Sequence, residues 1–204
     1  MTGRTLVAGV GNIFQRDDAF GVEVARLLAG RPWPPGVRIA DFGIRGVHLV
    51  YELLNGCDLL VLIDAAQRGY EPGTVTVLEV AGAAPGSTVM DAHGLVPDQV
   101  FAMAASMGCA PGRSLIVACE PADVSEGMGL SEPVRQALPH AVRAVEQILG
   151  DIEQVEQVEQ EKGADDGVQA NEGRAHSGDR RGGDLLAPRH QALPANQGYV
   201  RWKS

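Results

Sequence analysis

The chain of 204 residues has few aromatic side chains and no excess of positive charge, and each shortage excludes a class of protein. Aromatic residues make up 4% of the chain and the formal net charge is −9, which disfavours contacts with a nucleic-acid backbone or an anionic membrane. No apolar run approaches the roughly 20 residues needed to cross a bilayer. The sequence therefore predicts a protein with neither a nucleic-acid nor a membrane partner.

Cysteine is also scarce. The three cysteines, Cys57, Cys109 and Cys119, are odd in number and lack the spacing of a metal site. This pattern is typical of free thiols in a reducing compartment. The N-terminal residues show no basic lead followed by a long apolar signal core, so we expect a cytoplasmic protein. We also expect a monomer.

Apolar runs alternate with segments of helical spacing over residues 1–150, which we take as one domain. Residues 5–10, 58–63 and 115–119 are apolar almost throughout, which is typical of buried parallel strands. The predicted order is β-α-β-α-β-β-α-β-α. Such alternation indicates an α/β fold with a mostly parallel five-stranded sheet and helices on both faces.

Residues 151–204 differ in character from the rest of the chain. A Glu-Gln-Val repeat over residues 153–160 favours an extension of the last helix by a turn or two, and the following residues are rich in Gly, Asp, Arg, Ala and Gln. Too little apolar area is present to offset the entropy of an ordered chain. We expect a low-complexity, mostly disordered tail and assign it no function.

Three separate segments each place a potential ligand for a divalent metal just after an apolar strand or in a loop before a helix. They carry the adjacent acids Asp17 and Asp18, the strand-end acid Asp64, and the loop histidine His93. The carboxyl ends of parallel strands meet at one edge of a sheet, where ligands usually bind. Two carboxylates and an imidazole there would form an incomplete coordination shell with open positions for a substrate.

A dinucleotide site is disfavoured, although Gly9-x-Gly11 opens like its glycine fingerprint. The third glycine of that motif is replaced by Phe14, and Asp17 and Asp18 would repel a pyrophosphate. The glycines instead favour a tight turn between a strand and a helix. We therefore predict no bound nucleotide cofactor.

Other polar residues near strand ends are candidates for support or recognition. Asp17 either caps the following helix or shares the ligand role of Asp18. Asp41, with Gly43 in the same turn, is a candidate to orient His93 or to cap a recognition loop. Glu120 favours recognition over metal ligation. Cys119 lacks an electropositive neighbourhood, so we interpret it as a buried structural thiol and not as a nucleophile.

Several separated motifs, in order from about residue 6 to residue 149, resemble those of the hydrogenase maturation proteases. They are Gly9-Val10-Gly11-Asn12 with Asp17-Asp18 and Gly21, Asp41-x-Gly43-x-x-Gly46, Asp64-Ala65, His93-x-Leu95, and Glu120-Pro121 with Gly127-x-Gly129-Leu130-Ser131.

The resemblance implies a three-layer α/β/α endopeptidase with a twisted sheet. It also implies an activity, removal of the C-terminal extension from the large-subunit precursor of [NiFe] hydrogenase after nickel insertion. In the family, nickel carried by the precursor is contacted by residues that match Asp18, Asp64 and His93, which we take as the catalytic and metal-contacting set. The family commonly has Glu at the first position, so Asp18 is one methylene shorter. Another divalent ion could replace nickel in the isolated protein.

Two alternatives remain at this point. A non-catalytic nickel-binding chaperone would use the same ligands to deliver metal and would leave the length of the large subunit unchanged. A peptidyl-tRNA hydrolase-like enzyme also opens with Gly-x-Gly-Asn, but it needs a basic surface and an early catalytic histidine. The net charge of −9 and the pair Asp17-Asp18 disfavour that enzyme.

Overall fold

The computed structural model describes residues 3–80, 97–169 and 201–202. A 3-10 turn, Arg16–Ala19, precedes the first helix. The strands and helices of the described residues are β1 (Thr5–Val10), α1 (Phe20–Ala29), β2 (Val37–Gly43), α2 (Gly46–Leu53), β3 (Leu59–Ala65), β4 (Val75–Val80), α3 (Pro97–Ser106), β5 (Arg113–Cys119), α4 (Glu132–Gln169) and β6 (Arg201–Trp202).

The strands form a single sheet in the order β2-β1-β3-β5-β4-β6. Strand β1 is parallel to both β2 and β3, and β3 is parallel to β5, whereas β4 runs antiparallel to β5. Every residue of β1 and of β3 is buried, as expected for central strands with both faces covered. The predicted mostly parallel sheet is confirmed.

Helices cover both faces of the sheet. On one face, Leu6, Leu60 and Ile116 of three adjacent strands belong to a core shared with Leu49 of α2 and Val100 of α3. Successive residues of a strand point to opposite faces, so the intervening residues face the side where α1 contacts β1 and β3. The predicted three-layer α/β/α architecture is confirmed.

The structure differs from the sequence prediction in the length of α4 and in the presence of β6. Helix α4 continues to Gln169, well beyond the expected turn or two after residue 149, and a two-residue strand, β6, adds to the five predicted strands by pairing with β4. Glu and Gln are good helix formers, which favours the longer helix. The assignment of residues 151–204 to a separate tail stays a prediction. Within the described residues, no helix is both long and apolar enough to span a membrane.

Candidate active site

The carboxyl ends of β1 and β3 lie side by side at the middle of the sheet, where an open α/β fold has its crevice. The chain leaves β1 through α1 toward β2 on one side, while β3 lies on the other side of β1. In open α/β sheets, ligands bind where the strand order reverses in this way. The segment after β1 carries Asp18, and Asp64 is the penultimate residue of β3.

Two glycines allow the start of α1 to lie directly against the sheet. A Cβ added at Gly21 would overlap the carbonyl oxygens of Ile63 and Val10, and one added at Gly9 would lie 2.6 Å from the Cβ of Ala25. Such distances leave no room for any side chain at either position. The contact brings the turn that precedes α1 against the end of β3, where Asp64 lies.

Asp18 is half-buried in the 3-10 turn, and its carboxylate is held from the side of β1. Its Oδ2 accepts a hydrogen bond from the backbone N–H of Asn12 at 2.6 Å. The Oδ1 of Asn12 in turn accepts the N–H of Phe14 at 3.0 Å. Asn12 was not among the residues predicted to have a role, although its place after Gly-x-Gly was a signal that the turn needs a side-chain acceptor.

Asp64 is buried, with 3% of its surface exposed, and its Oδ1 accepts the N–H of Ala65 at 2.8 Å. Burial raises the pKa of the Asp64 carboxyl well above its usual range, and the nearby Asp18 carboxylate raises the pKa further, while the Ala65 N–H lowers it. Two carboxylates that share a poorly solvated site cannot both ionise without cost. A proton or a cation placed between them would relieve this repulsion.

The structure therefore brings Asp18 and Asp64 to the same crevice, but it does not test the third member of the predicted set. His93 lies outside the described residues. Among residues 3–80, 97–169 and 201–202, no cluster of three histidine, cysteine or acidic side chains is arranged to hold a metal ion. The ligand set Asp18, Asp64 and His93 stays a prediction.

Asp17 has a different environment from Asp18, although the two residues are adjacent. Its carboxylate is fully buried and accepts hydrogen bonds from the N–H groups of Ala122, Asp123 and Ser131 and from the Oγ–H of Ser131, at 2.6–2.9 Å. An ionised carboxylate offers about four acceptor positions, and four hydrogen bonds reach the two oxygens of Asp17. The geometry favours Asp18 over Asp17 as the ligand.

Asp41 and Gly43 form a turn at the end of β2. The Oδ1 of Asp41 accepts the N–H of Gly43 at 2.9 Å, and Gly43 adopts a φ of 53°, a conformation that favours glycine. The carbonyl oxygen of Gly43 accepts the N–H of Gly11 at 3.1 Å, which joins this turn to the one after β1. The capping role proposed for Asp41 fits these contacts, and its role toward His93 stays a prediction.

Glu120 follows β5 and is buried, with 7% of its surface exposed. Its two carboxylate oxygens accept the N–H groups of Arg68 and Gly69, at 2.8 and 3.2 Å. The side chain thus fixes the loop that leaves β3 shortly after Asp64. A role for Glu120 in recognition of a partner stays a prediction.

Cys119 is completely buried at the end of β5. Burial raises the pKa of its thiol to about 12, and the Asp17 and Glu120 carboxylates add to the rise. A thiol with such a pKa is protonated at neutral pH and is a poor nucleophile. Its interpretation as a structural thiol is supported, and all three cysteines are free.

Comparison with known proteins identifies the family. The model of the hydrogenase maturation protease family (HycI) matches residues 22–148. The chain belongs to this family. It is 33% identical over 150 residues to the hydrogenase expression/formation protein HoxM of Azotobacter vinelandii, which covers 72% of each chain. It is 36% identical over 149 residues to HupM of Azotobacter chroococcum, which covers 70% of this chain and 71% of HupM.

Solved structures agree with this assignment. The hydrogenase maturating endopeptidase HybD from E. coli is 29% identical and superimposes with a TM-score of 0.60, covering 74% of this chain and 93% of HybD. The [NiFe] hydrogenase maturation protease HycI from Thermococcus kodakarensis is 26% identical with a TM-score of 0.58, covering 72% of this chain and 93% of HycI. The chain is thus a hydrogenase maturation protease by family and fold, and a peptidyl-tRNA hydrolase-like enzyme finds no support in these matches.

Proposed function

We propose that this protease removes the C-terminal extension of the large-subunit precursor of a [NiFe] hydrogenase after nickel has been inserted. One observation carries the proposal beyond family membership: two carboxylates, Asp18 and Asp64, share a crevice in which each has one hydrogen-bond donor among the described residues. Such a pair is suited to a cation that arrives from outside.

Nickel in this proposal is part of the substrate, since the precursor carries it to the protease. Carboxylate oxygens accept divalent ions, and imidazole nitrogen suits nickel well. The mutual repulsion of Asp18 and Asp64 is relieved when the ion enters, because its positive charge stabilises both ionised carboxylates. His93 completes the proposed set.

Discrimination between the two forms of the precursor follows from this electrostatic argument. A nickel-free precursor would leave the two carboxylates facing each other without a compensating charge, so it binds less well or in a pose that is not cleaved. The nickel-loaded precursor gains the metal–carboxylate contacts, which place the peptide bond to be cut. The cytoplasmic location and the monomeric state stay predictions.

The test compares the two forms of the precursor directly. The protein is incubated with nickel-loaded and with nickel-free large-subunit precursor, and the mass of the subunit is measured. We expect a shortened subunit only from the nickel-loaded precursor. An unchanged subunit mass with tight nickel-dependent binding would instead identify a non-catalytic chaperone, and equal cleavage of both forms would contradict nickel recognition.

His93→Ala provides the test of the third residue. We expect this variant to lose cleavage of the nickel-loaded precursor while it retains the circular dichroism spectrum of the wild type, because a loop histidine contributes little to the core. Full cleavage by the His93 variant would remove this residue from the proposed set and leave the two carboxylates alone.

A further inference from the structure

We propose that Asp17 is a positioning residue for the cleavage reaction, which acts by fixing Asp18 through the segment between β5 and α4. This inference rests on the proposed function, because it assigns Asp17 a role through Asp18 and none in contact with nickel.

The Asp17 carboxylate is bonded to two places in a distant part of the sequence. Its Oδ2 accepts the N–H groups of Ala122 and Asp123, at 2.8 and 2.9 Å, and the Oγ–H of Ser131 at 2.8 Å. Its Oδ1 accepts the N–H of Ser131 at 2.6 Å. A buried charge is tolerated when hydrogen bonds replace its lost hydration, and these four bonds do so.

Backbone hydrogen bonds also join the 3-10 turn to the segment between β5 and α4. The N–H of Asp17 donates to the carbonyl oxygen of Asp123, and the N–H of Arg16 donates to that of Gly127, both at 3.1 Å. Gly127 in turn donates its N–H to the carbonyl oxygen of Phe14 at 2.9 Å. The 3-10 turn is therefore held along its length by residues 123–131.

The backbone of this turn is in a conformation that neighbouring structure must maintain. Arg16 has a φ of 46°, in the left-handed region that residues other than glycine rarely occupy. Such a conformation persists where the surrounding contacts determine it. The Asp17 network supplies contacts of this kind from the segment between β5 and α4.

Asp18 follows Asp17 immediately and is held by residues of the turn after β1. The N–H of Asn12 donates to the Oδ2 of Asp18, and the N–H of Asp18 donates to the carbonyl oxygen of Gln15 at 3.0 Å. The position of the Asp18 carboxylate is thus set from the β1 side by Asn12 and from the β5–α4 side by Asp17. Asp17 itself offers no exposed carboxylate oxygen to the crevice, because its side chain is completely buried and both oxygens already accept hydrogen bonds.

Catalytic geometry is sensitive to small displacements, since a shift of about 1 Å can reduce a rate about 10²-fold. Asp17→Asn keeps the size of the side chain but replaces one acceptor oxygen with an NH₂ group, which would face a donor N–H. We expect the turn to shift and the kcat/KM for nickel-loaded precursor to fall about 30- to 100-fold. The Kd for nickel-free precursor should stay within about threefold, because that binding does not use Asp18.

Three further variants make the experiment decisive. Asp18→Asn should give the same pattern as Asp17→Asn, namely a low kcat/KM with an unchanged Kd for nickel-free precursor. Ser131→Ala removes one hydroxyl donor and keeps the N–H, so its kcat/KM should fall about fivefold. Leu53→Ala makes a cavity at the C-terminal end of α2, so it should lower the Tm. The Kd for nickel-free precursor and the kcat/KM of the folded variant should stay within about threefold of the wild-type values.

The outcomes separate this inference from the proposed function. If the wild type does not cleave nickel-loaded precursor, or if Asp18→Asn cleaves it at the wild-type rate, the proposed function fails. If Asp18→Asn is impaired but folded Asp17→Asn has the wild-type kcat/KM, only the role of Asp17 is overturned. A parallel loss of cleavage and of nickel-free binding in Asp17→Asn would also overturn it, since that pattern indicates a structural role alone. Should Asp17→Asn not fold, Ser131→Ala decides in the same assay.

Discussion

Two pairs of carboxylates lie near the carboxyl ends of the central strands, and their hydrogen bonds differ in number and in origin. Asp17 and Glu120 are buried and accept several bonds from loop N–H groups distant in sequence. Asp18 and Asp64 each accept one bond within the described residues, and that bond comes from the same strand or its turn.

In the proposed function, this difference separates a filled pair, Asp17 and Glu120, which shapes the site, from a reactive pair, Asp18 and Asp64, which meets the ion. A carboxylate whose acceptor positions are filled by backbone donors is already stabilised as an anion, and it gains little from a metal ion. A buried carboxylate with one donor and an acidic neighbour is destabilised until a proton or a cation arrives. Carboxylates would therefore serve two purposes in this protein, and the adjacent Asp17 and Asp18 would fall on opposite sides of that division.

The largest effect should come from Asp64→Asn. We expect cleavage of nickel-loaded precursor to fall at least about 10³-fold, equivalent to about 4 kcal/mol of transition-state stabilisation, because an amide carries no charge to meet the ion. Initial rates followed by subunit mass measure the loss. Asp58→Asn is the matched control, since Asp58 precedes the same strand and binds the N–H of Arg4 at the opposite end of the sheet. Near-wild-type cleavage by the Asp64 variant would remove Asp64 from the reactive pair.

A second prediction concerns Gly21, whose close contact with the backbone of β1 and β3 brings the 3-10 turn against the end of β3. Gly21→Ala should destabilise the fold by about 3 kcal/mol or more, because its Cβ overlaps the carbonyl oxygens of Ile63 and Val10. Chemical denaturation measures the free energy of unfolding. Gly30→Ala is the control, since its Cβ meets nothing within 4 Å and its φ is −81°, so we expect no loss and a gain of up to about 1 kcal/mol.

Glu120→Gln tests the filled pair. We expect a loss of about 1–3 kcal/mol in the free energy of unfolding, because the Arg68 and Gly69 N–H groups lose a charged acceptor. Cleavage should fall by less than about tenfold, since Glu120 holds the Arg68–Gly69 loop and lies outside the proposed ligand set. Unchanged stability with a large loss of cleavage would move Glu120 from the filled pair to the reactive one.

The smallest effect is a dependence of stability on pH that arises from Asp64. Its pKa is raised in the folded protein by burial and by Asp18, so between the ordinary carboxyl pKa and this raised value the folded state holds a proton that the unfolded state has released. The contribution of Asp64 is therefore fully present at low pH and is lost as the pH rises through the raised pKa.

Asp64→Asn should abolish this slope and raise the Tm of the metal-free protein at neutral pH. Each kcal/mol corresponds to about 2–4 °C for a chain of this size. Thermal unfolding of wild type and variant at several pH values measures the effect. A lower Tm of the variant at neutral pH would contradict a destabilising Asp64. It would indicate that Asp64, like Glu120, stabilises the fold through its hydrogen bonds.

The sequence predicted the elements that depend on local pattern. The apolar runs of β1, β3 and β5 and their intervening helices follow from periodicity, and the position of Asp64 at the end of β3 follows from the length of its apolar run. Parallel strands place such ends at one edge, so the approach of Asp18 to Asp64 could be expected.

Features that depend on distant pairing could not be predicted in this way. Nothing local in Asp17-Asp18 distinguishes the two acids, because the partners of Asp17 are 105 to 114 residues away. The close approach at Gly21 is likewise a property of three elements together. The length of α4 was underestimated because Glu and Gln, which are good helix formers, recur beyond residue 149.

The left-handed backbone at Arg16 has a consequence for engineering. Residues 123–131 impose the shape of this turn, so the turn cannot be transferred alone. If a relative's segment equivalent to residues 12–18 were grafted without its partner segment, it would relax toward its own preferred conformation. Exchange of specificity between members of the family should succeed only when both segments are transplanted as a matched set.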